Sequence, residues 1–234
     1  MMTKNKTTLE YLLNFVESGG IKFRKANQKY DCISLDESIE YPKIIKYAVV
    51  AYNYIVSNLE NWEINSNCFD IRRAITRGPY DAVHSNSIDT SMISESAFVM
   101  KKTDPKFLTT KEHIYMPQFT VRLALDNPEK YLKDPNDFFK LFIRCCQTRE
   151  VTAEENRKLS GFMKSGKVID GKKYDKIQIK CPLSVKYEAC GIKMLQREKG
   201  LGWKNKPVQP VESTILTPDG YDEYEAQFLV DEFE

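Results

Sequence analysis

This sequence has almost no histidine, no paired-cysteine motif, no glycine-rich phosphate loop and no long apolar run. Each shortage removes a class of function. Histidine occurs twice, at His84 and His113, so any imidazole chemistry must use one of these two. The six cysteines, at 32, 68, 145, 146, 181 and 190, never stand in C-x-x-C spacing. In a cytosolic chain their default state is the free, mostly buried thiol. A zinc site drawn from Cys145, Cys146, Cys181 and Cys190 is disfavoured, because adjacent cysteines seldom both reach one tetrahedral ion. Neither G-x-x-x-x-G-K-[ST] nor G-x-G-x-x-G occurs. That argues against a nucleotide-driven motor and a dinucleotide-dependent dehydrogenase. No apolar stretch approaches the roughly 18 to 20 residues of a membrane helix. The N-terminal segment carries two lysines but no long apolar core and no small-residue cleavage site, so it reads as an amphipathic helix and not as an export signal. A cytoplasmic protein with no membrane partner is the expectation.

What is present is enough for a folded core. Hydrophobic residues make up 41% of the 234 and charged residues 29%, ordinary values for a globular chain. The net charge of +2 conceals a strong asymmetry. Residues 219–234 hold seven acidic side chains and no basic one; taking those seven from the total of 33 leaves 26 acidic against 35 basic on residues 1–218. Residues 156–206 alone carry fourteen Lys and Arg against four Asp and Glu. Clustered cations attract polyanions and commonly mark a phosphate-binding face. An ordinary solvated surface is the competing reading. The acidic tail then either shields the basic face or keeps the protein soluble.

Hydrophobic spacing predicts helices over 8–17, 38–59, 68–76, 119–125, 137–146, 153–163 and 185–197. The 38–59 segment is apolar nearly all round and reads as a buried helix whose tyrosines pack in the core. The 68–76 helix is expected to stop near Gly78-Pro79. Residues 80–97 are rich in Ser, Asn and Asp and read as a loop, with His84 a surface residue in it. Short strands are expected at 97–100, 107–114, 150–152 and 174–181. Thr152 and Glu155 have capping-box spacing at the start of the helix that follows. With no internal repeat and no evident linker, one α+β domain over 1–218 followed by the tail is the economical reading.

Two stretches carry the candidate chemistry. In Leu108–Gln118, LTTKEHIYMPQ, the pair Glu112-His113 is followed by Pro117 in an E-H-x-x-x-P arrangement at the end of a strand. In Glu150–Leu159, EVTAEENRKL, a strand runs into a helix that carries Asn156. Together they resemble the two halves of the HNH (ββα-metal) endonuclease motif, within 107–163, and imply a ββα-metal core elaborated by helices. The resemblance implies His113 as the base that activates water and Glu112 and Asn156 as ligands of Mg²⁺ or Mn²⁺. It also implies a middle residue that orients the base, Asn127, with Asn136 as the alternative. The chain departs from the pattern in having no histidine on the helix. About forty residues also separate the halves, a gap that the 137–146 helix fills. The size of the chain outside the motif suits a sequence-specific, restriction-like enzyme acting on double-stranded DNA, and by analogy a homodimer. Arg72, Arg73, Arg77, Lys164, Lys167, Lys172, Lys173, Trp203 and Lys204 are the candidate DNA contacts, because guanidinium forks and lysines suit phosphates and guanine edges.

Two rival readings remain. Gln178 and Lys180, with Asp170 or Asp175 upstream, loosely resemble the acid–Gln–Lys hairpin of a restriction-enzyme core. From another class altogether, a non-catalytic nucleic-acid-binding protein would use the basic region 156–206, Trp203 and the three arginines. Convergence of Glu112, His113 and Asn156 separates the first reading from the others.

Overall fold

The computed structural model describes residues 8–25, 31–65, 68–115, 117–165, 168–169, 172–173, 187 and 190–196. In chain order these form α1 (Thr8–Glu17), β1 (Phe23–Lys25), β2 (Ile33–Leu35), α2 (Lys43–Ser57), α3 (Leu59–Asn65) and α4 (Phe69–His84). Then come β3 (Ile88–Ser94), α5 (Glu95–Thr103), β4 (Thr110–His113), α6 (Pro117–Asp126), α7 (Pro128–Tyr131) and α8 (Pro135–Cys145). Last are β5 (Gln147–Val151), α9 (Ala153–Ser165), β6 (Val168–Ile169), β7 (Lys172–Lys173) and β8 (Met194–Gln196). The chain is α+β, as expected. Its contacts gather into two compact units where the sequence suggested one domain: Met1–Ile88 with Met116–Cys146, and Asp89–Tyr115 with Gln147–Glu234. No helix among the described residues is long and apolar enough to cross a membrane.

The first unit is built on α2. Ile45, Ala48, Tyr52 and Ile55 of that helix are fully buried. The Tyr52 ring packs on Phe138 and Phe139 of α8 at centroid distances of 5.7 and 6.3 Å. Its hydroxyl donates to the Leu132 carbonyl at 2.8 Å, so the buried oxygen is satisfied. The helix is not buried all round, however: Val50 is 64% and Tyr54 40% exposed. Helix α4 runs through Gly78-Pro79 to His84 instead of stopping there. Proline removes one backbone donor, which ordinarily ends a helix. Here Ile75, Pro79, Ala82 and Val83 are buried, and α4 packs on α2 and α6. Tertiary burial overrides the local signal.

The second unit holds a four-stranded sheet in the order β4-β5-β3-β8. Strand β3 lies in the stretch read as a loop. Its burial breaks simple alternation, and Ser91 takes a positive φ of 61° in its middle, so the sequence shows no clean period of two. Residues 97–100, read as a strand, belong to α5. Ser94 caps that helix by accepting the Ala97 N–H at 3.1 Å. Residues 194–196, read as the end of a helix, pair with β3, Met92 opposite Gln196 and Ser94 opposite Met194. Met92, Val151, Leu159, Tyr187, Ile192 and Met194 form one apolar cluster; Ile93, Ala97, Leu195 and Phe98 form another. Neighbours in a strand point to opposite faces. Met92 against Ile93, and Met194 against Leu195, therefore place α9, through Leu159, on one face of the sheet and α5, through Ala97, on the other.

Candidate active site

Strands β4 and β5 pair antiparallel, with Thr110 opposite Val151, Lys111 opposite Glu150, Glu112 opposite Arg149 and His113 opposite Thr148. His113 is the last residue of β4. Helix α9 follows β5 directly and packs on β4. The expected capping box is present. Glu155 Oε2 accepts the Thr152 N–H at 2.8 Å and Thr152 Oγ1 accepts the Glu155 N–H at 3.1 Å. Asn156 is the next residue, half-buried, in the first turns of α9.

The register divides these residues between two faces. Glu112, Arg149 and Val151 share the face that carries Leu159 and Tyr187. His113, Thr148 and Glu150 share the opposite one. On the first face the buried Tyr187 hydroxyl donates to Glu112 Oε2, and the Arg149 guanidinium lies 4.5 Å from the centre of the Tyr187 ring. Burial, and then the Glu112 charge, push the Tyr187 hydroxyl well above its ordinary range, with Arg149 opposing them. The tyrosine stays protonated and acts as a donor. On the other face Glu150 Oε2 accepts Lys101 Nζ at 2.8 Å and Thr109 Oγ1 at 3.0 Å. That ion pair, 13% exposed at each end, ties α5 to β5.

Asn127 belongs to the first unit, where it is the N-cap residue of α7 and its side-chain amide donates to Leu123 O at 3.1 Å. Asn136, in the first turn of α8, donates to Asp134 Oδ1 at 3.1 Å. Both amides thus serve helix ends. Arg73 and Arg77 are exposed on α4, and Arg77 Nε bonds Asp81 at 3.0 Å. His84 ends α4 and stacks on Tyr80. Lys164 lies on α9 and Lys172 and Lys173 form β7; their side chains, like that of Arg72, are outside the described set. Lys167, Asp170, Asp175, Gln178, Lys180, Trp203, Lys204 and the acidic tail lie outside the described residues.

Cys145 and Cys146 are buried in the first unit. Burial pushes the Cys145 thiol up to about 12 and Cys146 well above its usual range, so both are inert neutral thiols. Among the described residues no three His, Cys, Asp or Glu side chains gather where an ion could sit. Arg149 and Tyr187, the partners of the Glu112 face, were missed in the sequence. Tyr187 is 75 positions from Glu112, and no local pattern signals a contact at that separation. No family model, curated protein or solved structure matches this chain.

Proposed function

We propose that the second unit is the cutting part of a metal-dependent endonuclease of HNH type acting on double-stranded DNA. The observation that carries the reading is the order strand, antiparallel strand, helix: β4 ending in His113, β5 paired to it, then α9 packed on β4 with Asn156 in its first turns. Residues 114–146 are an insertion between the two strands. His113 is the base that takes a proton from the attacking water, which requires a neutral ring. Glu112 and Asn156 offer one carboxylate and one amide oxygen. That donor set suits Mg²⁺, which keeps several of its waters, and does not suit Zn²⁺. A bound divalent ion would supply positive charge to the phosphate oxygens as the bond breaks. Glu112 would have to exchange the Tyr187 hydroxyl for the ion. His113, the last paired residue of β4, would have to reach the same phosphate around the strand end.

The engagement of Glu112 by Tyr187 supports a second reading, a nucleic-acid-binding protein without catalysis. Supercoiled plasmid incubated with Mg²⁺, and in parallel with EDTA, separates the two. Nicking that needs the metal supports the nuclease; intact plasmid together with a salt-sensitive gel shift supports the binding protein.

A further inference from the structure

Helices α2 and α4 pack together, and their outer edges carry aromatic rings interleaved with cations. On α2, Lys43 Nζ lies 5.3 Å from the centre of the Tyr47 ring. Val50 and Tyr54 continue the same face at helical spacing, and both are exposed. On α4, the Arg77 guanidinium lies 5.4 Å from the centre of the Tyr80 ring, and Tyr80 stacks on His84 at 5.6 Å with the planes 16° apart. Tyr54 joins the two rows. Its hydroxyl donates to Ala74 O at 3.2 Å, and its ring rests beside Gly78, where an added Cβ would stand 3.5 Å away. The ring is therefore held in place while 40% of the residue faces solvent.

Charge points to the occupant. The exposed charged Lys, Arg, Asp and Glu side chains described on these helices are Lys43, Lys46, Arg73 and Arg77 against Asp70 and Asp81. The Arg77–Asp81 pair is 67% and 52% exposed, and such a surface pair exchanges readily for a phosphate. A fixed, solvent-facing Tyr54 ring, flanked by half-buried rings that carry cations, matches a strand whose bases are unpaired, because bases inside a duplex hide the faces that stack on aromatics. We propose that this edge of the first unit binds single-stranded nucleic acid, with Tyr54 stacking on an unpaired base and Arg73 and Arg77 holding the flanking phosphates. The proposal does not rest on the nuclease reading.

Fluorescence anisotropy with a labelled oligothymidylate and with the matching duplex, both in EDTA so that no cutting intervenes, tests it on the full chain. The single strand binds, and Tyr54→Leu weakens its binding more than that of the duplex. Tyr54→Leu weakens single-strand binding about tenfold, the scale of one lost base stack, and Tyr54→Trp restores it. Arg73→Ala with Arg77→Ala flattens the salt dependence. Val50→Glu, at a position too exposed to disturb folding, weakens binding by adding negative charge. No binding of the single strand, or Tyr54→Leu and Val50→Glu both binding it like the parent, overturns the proposal, whether or not the protein holds the duplex or cuts plasmid.

Discussion

Ser94 donates its hydroxyl hydrogen to Glu155 Oε2 across 2.6 Å and so joins the start of α5 to the start of α9. Ser94 is the N-cap of α5. Glu155, 6% exposed, also takes the Thr152 N–H that would otherwise be an orphan donor at the beginning of α9. One carboxylate thus serves two helix starts. The two helices lie on opposite faces of the sheet, so the bond fastens them to each other as well as to the strands between.

Removing this carboxylate should loosen the second unit. Glu155→Ala strands a buried N–H and a buried hydroxyl, and a loss of about 2 to 4 kcal/mol is expected. Ser94→Ala should cost about 1 to 2 kcal/mol. The double variant should lose less than the sum, because both single changes break the same bond. Urea unfolding of the three proteins measures this. A Glu155→Ala protein within about 0.5 kcal/mol of the parent, a change typical of an uninvolved surface site, would count against the shared cap.

The cap was legible before the structure, and the reason is physical. Thr152 and Glu155 stand three residues apart, and everything their pairing needs is local. The same holds for α1 and α8, whose apolar spacing marks them directly. Ser94 as the second donor was not legible, because it is 61 positions away. Strand β3 escaped because Ser91 interrupts its period, and β8 because a three-residue strand exists only through its partner. Helix α4 was cut short at Pro79 by a rule that burial overrode. In the candidate site, the strand-end position of His113 could be read from spacing. The facing of Glu112 toward Tyr187 and Arg149 could not, since it depends on the register of β4 against β5.

Alkali should unfold the protein before its backbone chemistry is affected. Burial raises the thiols of Cys145 and Cys146 above their ordinary value of 9.0, and burial with the Glu112 charge raises Tyr187 above 10.0. All three are neutral acids whose folded form holds its proton more tightly than the unfolded chain. Their stabilising effect is complete below the unfolded values and is lost as pH climbs from about 9 toward the folded ones. Each such group steepens the loss by about 1.4 kcal/mol per pH unit within its window. Urea midpoints measured under reductant across this range should fall, and Cys145→Ala with Cys146→Ala should flatten the decline. An unchanged midpoint up to about pH 11 would refute the assignment.

Tyr187→Phe distinguishes a structural Glu112 from a metal-binding one. The change deletes the hydroxyl and leaves a buried carboxylate short of a donor, at a cost of about 1 to 3 kcal/mol. In a purely structural cluster that is the whole effect. If Glu112 must leave Tyr187 to meet a metal, the same variant holds Mg²⁺ more tightly, because the competing donor is gone. Calorimetric Mg²⁺ titration of parent and variant reads the difference. A Tyr187→Phe protein that is less stable, with no change in Mg²⁺ binding, removes Glu112 from the ligand set.

His113 carries the sharpest test of the nuclease reading. It ends β4 half-buried and contributes no apolar area to either cluster, so His113→Ala should fold with a cooperative transition close to the parent's. It should also hold DNA as well as before, since a ring that must be neutral to act as a base supplies no fixed positive charge to a phosphate. The loss should fall on the chemical step, where a missing base costs about 10² to 10⁴-fold in rate. Asn156→Ala should be impaired through metal binding instead, and excess Mg²⁺ should partly restore it. His84→Ala, at the end of α4 in the other unit, should cut at nearly the parent rate. Single-turnover plasmid cleavage at several metal concentrations resolves all three. His113→Ala cutting at the parent rate while Lys180→Ala is dead would move the chemistry to the acid–Gln–Lys hairpin. Normal cutting by both would place it at neither.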